Sequence, residues 1–290
     1  MIAFLFPGQG SQCRGMGQGL FDEVHQFAAI EKDVDAILGY SLRKLCLEDE
    51  GNRLKQTQFT QPSLYVINAL HYYNTIEKGL QPSFLSGHSL GEYNALLAAG
   101  VFDFLSGLRM VKKRGELMSK AKNGSMAAVI GLESGKISSL VKENGLEGLD
   151  VANFNSPTQT VVSGPVDDIN RAEQIFEKAG ASMFAILPVS AAFHSRYMAD
   201  AAKTFAAFLA PMSFEAPKIP VVSNVTGRPY PTENPSESVK SLLVQQIDHS
   251  VQWSQSVHWL VGQGVTEFRE IGPGNVLSRL VQQNQRQKDN

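Results

Sequence analysis

The sequence predicts an α/β fold in two parts, a larger domain of alternating strands and helices interrupted by a compact ferredoxin-like insertion. Three observations carry this. Strand-like and helix-like runs alternate along most of the 290 residues, a length that suggests about two domains. Between Met126 and Val189 the order of the runs is βαββαβ, the ferredoxin-like signature. Finally, a serine flanked by glycines, Gly87-His88-Ser89-Leu90-Gly91, stands where a strand-like run turns into a helix-like one, as in the nucleophile elbow of α/β enzymes.

The elements follow in order. "MIAFLF" at the start is a short continuous apolar run that ends in Pro7-Gly8, which reads as a buried strand. "QPSLYVINALHYYNTI" reads as a helix with Pro62 in its first turn, where the missing N–H does no harm. "PSFLSG" is a second strand, followed at once by the helix "LGEYNALLAAG" and then by a helix from Phe104 to Met118. "MAAVIGL", "LDVANF", "QTVVSG" and "SMFAILPV" are the strands of the insertion, and "ESGKISSLVKEN" and "VDDINRAEQIFEKAG" its helices. "KIPVVSNV", "SVKSLLVQQI", "VQWSQSVHWLVGQG", "TEFREIG" and "NVLSRLVQQ" resume the alternation, and the polar tail "VQQNQRQKDN" is expected to fray. The larger domain is then residues 1–124 and 193–290, and the insertion 125–192.

Composition narrows the function. A hydrophobic fraction of 43%, a charged fraction of 19% and a formal net charge of −2 describe a globular protein without a basic field for nucleic acid. Cys13 and Cys46 are too few for a disulfide framework, and the six histidines show no metal-ligand spacing, so no metal is expected. The first residues lack the basic region and cleavage site of a signal peptide. No apolar run is long enough to span a membrane, and a cytoplasmic location is the expectation.

Ser89 is either an acylatable nucleophile or simply the cap of the helix that follows it. The elbow reading has a physical basis: a sharp strand-to-helix turn holds the hydroxyl above the sheet, and glycines two residues to either side relieve the crowding. The helix N-terminus, with the Leu90 N–H foremost, would then face a developing oxyanion. A serine needs a base. His25, His71 and His258 lie in amphipathic helical runs and read as solvated, and His88 adjoins the nucleophile, where side chains diverge. His194, in "LPVSAAFHSRYM", follows a strand end and small residues; it is the candidate base, against a structural histidine. No triad acid is visible: Asp150, Asp167 and Asp168 fall inside the insertion's elements. A backbone carbonyl could orient the imidazole instead.

Two further features bear on the substrate. The glycine-rich "FPGQGSQCRGMGQG" fails as a dinucleotide loop because Cys13 stands where a glycine is needed. It is either a plain connection or a second source of an oxyanion N–H. Met110, Val111, Leu117 and Met118 lie three and four residues to either side of Arg114, so the guanidinium projects from an apolar stripe. Such a cation is either salt-bridged internally or clamps an anionic substrate.

Together these residues resemble the malonyl-CoA:acyl carrier protein transacylase family, most of all the discrete trans-acting acyltransferases of modular polyketide synthases. "FPGQGSQ", "TQPSLY", "GHSLGEYNAL", "KKRGELM", "NFNSPTQTVVSG", "VSAAFHS", "VQWSQSV" and "IGPGNVL" carry the resemblance in order over nearly the whole chain. It implies an α/β-hydrolase-like core domain with an inserted ferredoxin-like subdomain. It implies Ser89 as the acylated nucleophile, His194 as general base and the Gln246 backbone carbonyl as the group that orients it. The Gln9 and Leu90 N–H groups would form the oxyanion hole, Arg114 would bind the malonyl carboxylate, and Gln61, Phe193 and His88 would line the pocket. Phe193, before the histidine, goes with malonyl rather than methylmalonyl in related polyketide enzymes. The chain departs from the family in having His249-Ser250 where Asn-Pro is common.

The activity implied is malonyl transfer from malonyl-CoA to the phosphopantetheine thiol of an acyl carrier protein, by a monomer that consumes no cofactor and has neither nucleic acid nor membrane as a partner. "AAFHSRYM" and the absence of flanking synthase linkers favour a polyketide synthase served in trans. The alternatives are a fatty-acid-synthesis malonyl transacylase, an acyl hydrolase of the same fold, and a non-catalytic carrier-protein docking module.

Overall fold

A computed structural model describes residues 1–286. Its strands are β1 (Ile2–Phe6), β2 (Phe84–Gly87), β3 (Gly124–Ile130), β4 (Asp150–Ser156), β5 (Gln159–Pro165), β6 (Met183–Ile186), β7 (Val221–Val222) and β8 (Glu267–Glu270). They form two sheets. The first is parallel, in the order β7-β2-β1-β8. Ala3, Phe4, Leu5 and Phe6 of its central strand are all fully buried, which is why that strand is apolar without alternation.

The second sheet is antiparallel, in the order β4-β5-β3-β6. With helices Ser134–Glu143 and Val166–Lys178 between its strands, this is the ferredoxin-like arrangement, with second, third, first and fourth strands side by side. Its helices pack Ile137, Ile169, Ala172 and Phe176 onto Ala127, Val129 and Val162 of the sheet. The α/β class and the two-part build read from the sequence are therefore present in the folded chain.

Three local expectations change. The helix holding Pro62 runs from Thr57 to Glu77, so Pro62 lies beyond the first turn, at a position where an N–H would have met the Gln58 carbonyl. The added turn is pinned by the Thr60 hydroxyl, which donates to the Leu54 and Gln56 carbonyls at 2.6 and 3.0 Å. Helices Leu20–Glu23, Leu42–Glu48 and Ala199–Leu209 occupy stretches with no sequence assignment, and the amphipathic run at His25 is helix His25–Leu38. His25–Leu38 buries only Phe27, Val34 and Leu38, a thin stripe that leaves His25 exposed. The tail does not fray at Val281: helix Val276–Arg286 continues with Val281 and Asn284 buried, and the rest of the tail lies outside the described residues. Among the described residues no helix is long and apolar enough to cross a membrane.

β1 and β2 lie side by side with Phe6 opposite Gly87. The two chains leave the sheet together at its carboxyl edge, where open α/β sheets bind ligands. The crossing is tight. A Cβ on Gly91 would come within 1.9 Å of the Phe6 carbonyl oxygen, and one on Gly87 within 2.0 Å of the Gly91 carbonyl carbon. Both obstacles are backbone and cannot swing away. Gly135, inside helix Ser134–Glu143, meets nothing within 4 Å. Urea unfolding is therefore expected to show Gly91→Ala destabilised by about 3 kcal/mol or more, and Gly135→Ala stabilised by roughly 0.5–1 kcal/mol.

Candidate active site

Ser89 occupies the turn between β2 and helix Gly91–Ala98 with φ 50°. Apart from asparagine and aspartate, only Ser89 and His194 (φ 55°) show non-glycine backbone in the left-handed region among the described residues, a strained state of the kind that gathers at functional sites. The strain at Ser89 is held by Asn224, just after β7. Its Oδ1 accepts the Ser89 N–H at 2.6 Å and its Nδ2 donates to the Gly87 carbonyl at 2.6 Å. The adjoining β1 loop packs against the same turn, for a Cβ on Gly8 would lie 2.4 Å from the His88 carbonyl oxygen.

Because Phe6 pairs with Gly87, Gln9 and Leu90 stand equally far along two neighbouring chains. Neither N–H has an acceptor among the described residues. Two free donors beside a serine hydroxyl can receive a tetrahedral oxyanion.

His194 comes from the chain that returns from the second sheet. Its Nε2 lies 2.8 Å from Ser89 Oγ, and its Nδ1 lies 2.7 Å from the Gln246 main-chain oxygen. A carbonyl only accepts, so Nδ1 carries the proton and Nε2 is left free to take one from serine. The substitution of His249-Ser250 for Asn-Pro leaves this contact intact. Asp150, Asp167 and Asp168 stay away from the imidazole: Asp150 pairs with Arg196, and Asp168 with Arg171.

Arg114 is fully buried in helix Phe104–Lys120. One amino group donates to Gln61 Oε1 at 2.8 Å; the other donates to Gln246 Oε1 at 2.9 Å and to Ser89 Oγ at 3.1 Å. Its direct partners are thus neutral, which leaves a guanidinium available to an anion beside the hydroxyl. A cleft lined by Gln9, Gln61, Arg114, Phe193, His194 and Leu187 opens there. His88 lines the same cleft, but its Nε2 is turned to Asn155 Oδ1 at 2.8 Å. Ser89, His194, Gln246, Gln9, Leu90, Arg114, Gln61, Phe193 and His88 all meet within this one site.

Sequence reading missed Asn224, Asn155, Tyr230 and Glu92. For Glu92 a signal existed: helix Gly91–Ala98 has no polar face, so a charge in it must be buried and partnered.

Burial and the neighbouring Arg114 cation lower the His194 pKa to about 3, so the imidazole is unprotonated across the neutral range. In the unfolded chain it protonates near 6.5. Between those values the unfolded state binds more protons, so this residue's contribution to stability falls as pH drops below 6.5. Burial pushes the Glu92 carboxyl up to about 7, against hydrogen bonds from Tyr230, Gln246 and Asn224 and the Arg114 charge. There the folded state binds the extra proton, and stability falls as pH rises from 4.5 to 7. The His194 share is isolated by His194→Gln: relative to wild type, the variant should gain up to about 2 kcal/mol in urea unfolding between pH 6.5 and pH 5. An unchanged difference would rule out a neutral buried imidazole.

The geometry agrees with what the chain is similar to. The acyl transferase domain family model matches residues 3–290. The polyketide biosynthesis malonyl CoA-acyl carrier protein transacylases BaeC of Bacillus velezensis and PksC of Bacillus subtilis are each 50% identical over 283 residues, covering 97% of this chain and 96% of theirs. The crystal structure of a malonyl CoA-acyl carrier protein transacylase from Burkholderia pseudomallei superimposes with a TM-score of 0.93 at 47% identity, covering 99% of this chain and 98% of that one. A type II polyketide acyl carrier protein in complex with its malonyl-transacylase, PlMCAT:AntF, contains a chain that superimposes with a TM-score of 0.91 at 36% identity, covering 98% of this chain and 92% of that one. The chain belongs to the acyl transferase domain family, and within it to the malonyl-CoA:acyl carrier protein transacylases.

Proposed function

We propose that the chain moves a malonyl group from malonyl-CoA, through an ester on Ser89, to the phosphopantetheine thiol of an acyl carrier protein that serves a polyketide synthase in trans. The observation that carries this is the buried Arg114 guanidinium 3.1 Å from Ser89 Oγ. In a malonyl group one methylene separates the thioester carbonyl from the carboxylate. An acyl group laid against Ser89 therefore brings its carboxylate within reach of Arg114.

His194 Nε2 takes the Ser89 proton as Oγ bonds to the thioester carbon, and the Gln9 and Leu90 N–H groups hold the oxyanion. The C–S bond then breaks, and His194 returns the proton to the departing thiolate of coenzyme A. In the second half the carrier-protein thiol gives its proton to His194 and attacks the ester, and Ser89 Oγ leaves with that proton. Phe193, 7% exposed and lining the cleft, crowds an α-methyl substituent, which gives modest discrimination against methylmalonyl. In this reading the chain works as a cytoplasmic monomer, malonyl-CoA is a substrate, and no cofactor is required.

Intact-protein mass spectrometry after exposure to malonyl-CoA is expected to show one malonyl adduct on wild type and none on Ser89→Ala. Arg114→Ala should slow malonyl loading by roughly a hundredfold, the effect of truncating one partner of a buried charge pair, and spare acetyl loading. An equal adduct on Ser89→Ala, or malonyl loading of Arg114→Ala near the wild-type rate, would defeat the proposal. Transfer rates to polyketide and fatty-acid carrier proteins decide which pathway is served.

A further inference from the structure

We propose that Glu92 is a positioning residue that sets nucleophile and base in register, with its carboxylate tying together the three segments that hold them. Glu92 is fully buried and does not line the catalytic cleft among the described residues. Its oxygens point to two different supports of the reaction. Oε1 accepts from the Tyr230 hydroxyl at 2.5 Å and from the Asn224 N–H at 3.3 Å, and Oε2 accepts from Gln246 Nε2 at 2.5 Å.

Each support leads to a reacting group. Asn224 holds the Ser89 N–H and the Gly87 carbonyl, both at 2.6 Å. Gln246 Nε2 also donates to the Ser89 carbonyl at 2.8 Å, and the Gln246 main-chain oxygen fixes His194 Nδ1 at 2.7 Å. The Gln246 side-chain oxygen accepts from Arg114 at 2.9 Å. One carboxylate thus joins the elbow, the exit of β7 and helix Pro235–Asp248. The acid that a catalytic triad would place against the imidazole is present in this fold but stands one residue back, acting through Gln246.

A helix-dipole role does not account for this arrangement. An acid in a first helical turn favours the dipole equally well from solvent, and burying it is unfavourable unless every lone pair finds a donor. An amide at position 92 cannot take over. It has one acceptor oxygen for two sets of donors, so its NH2 must face either Gln246 Nε2 or the Tyr230 and Asn224 donors. That mismatch displaces one support.

This inference rests on the roles given above to Ser89 and His194. The test is single-turnover acylation of Glu92→Gln by malonyl-CoA and by the neutral acetyl-CoA, with rate constant and final acylated fraction recorded separately. Displaced support slows acylation roughly tenfold or more with both acyl groups, the scale of a hydrogen bond to a charged group, while the acylated fraction stays at the wild-type value. A rate constant within about twofold of wild type overturns the proposal. So does a loss confined to the acylated fraction, which marks a merely structural role, and so does slowing with malonyl-CoA alone, which assigns Glu92 to the Arg114 clamp.

Gln246→Met covers the case in which Glu92→Gln does not fold. It keeps the main-chain carbonyl and side-chain volume but cuts the arm to Glu92, and its acetylation must slow likewise; an unchanged rate overturns the proposal. If wild type takes no acyl group at all, the transfer reading itself fails, and that result is distinct from a failure of Glu92 alone.

Discussion

The site depends on a backbone crossing at the carboxyl edge of the parallel sheet. The turn at Ser89 passes so close to the end of β1 that Gly91 has no room for a Cβ, and it doubles back on itself so tightly that Gly87 has none either. That closeness is also what sets two unpartnered N–H groups, of Gln9 and Leu90, beside the serine hydroxyl. The register of β1 against β2 fixes their relative position, so this pair of donors is a property of sheet pairing rather than of any side chain. Asn224 holds the strained serine backbone from the far side, and the strain keeps the hydroxyl exposed to the cleft.

Around this crossing the fold arranges charge with few ionised groups. Arg114 is a full cation without exposed surface, and its direct partners are Gln61, Gln246 and Ser89. The same cation, together with burial, holds His194 neutral. A neutral imidazole beside a fixed cation suits a substrate that brings its own negative charge. The carboxylate of a malonyl group would complete the electrostatics of the site, whereas a neutral acyl group leaves Arg114 without a counterion in contact.

The second sheet contributes through its connections. The segment that leaves β6 carries Phe193 and His194 back to the elbow, and the next residues are tied down at once. The Arg196 main chain and guanidinium both bond to Asp150 at the start of β4, and the Tyr197 hydroxyl donates to the Gly148 carbonyl at 2.9 Å. On the other flank Ser250 Oγ donates to the Val151 carbonyl at 2.5 Å, and the Val251 N–H donates to the Ala152 carbonyl at 2.8 Å. Strand β4 is therefore bound both to the loop holding His194 and to the loop after Gln246, the two segments whose separation sets the His194–Gln246 contact.

Much of this was legible in the sequence because it rests on local rules. Strand and helix periods gave both halves of the fold, and the glycine spacing around Ser89 marked the elbow. The cation at Arg114 stood out on an apolar stripe. Between Leu20 and Glu48 only the run at His25 was legible, since the buried faces there are short and depend on what packs against them. Asn224 and Tyr230 were hidden for a different reason, and for Glu92 the sequence signalled burial but not the partners. Each is an ordinary polar residue in its own segment, and its meaning comes from partners more than a hundred residues away. Chain order determined which chemistry was available: a serine on a tight turn, a histidine after a strand and a buried arginine. Only the tertiary structure decided that the acid works through a glutamine instead of touching the histidine, because that choice is made where three distant segments meet out of reach of water.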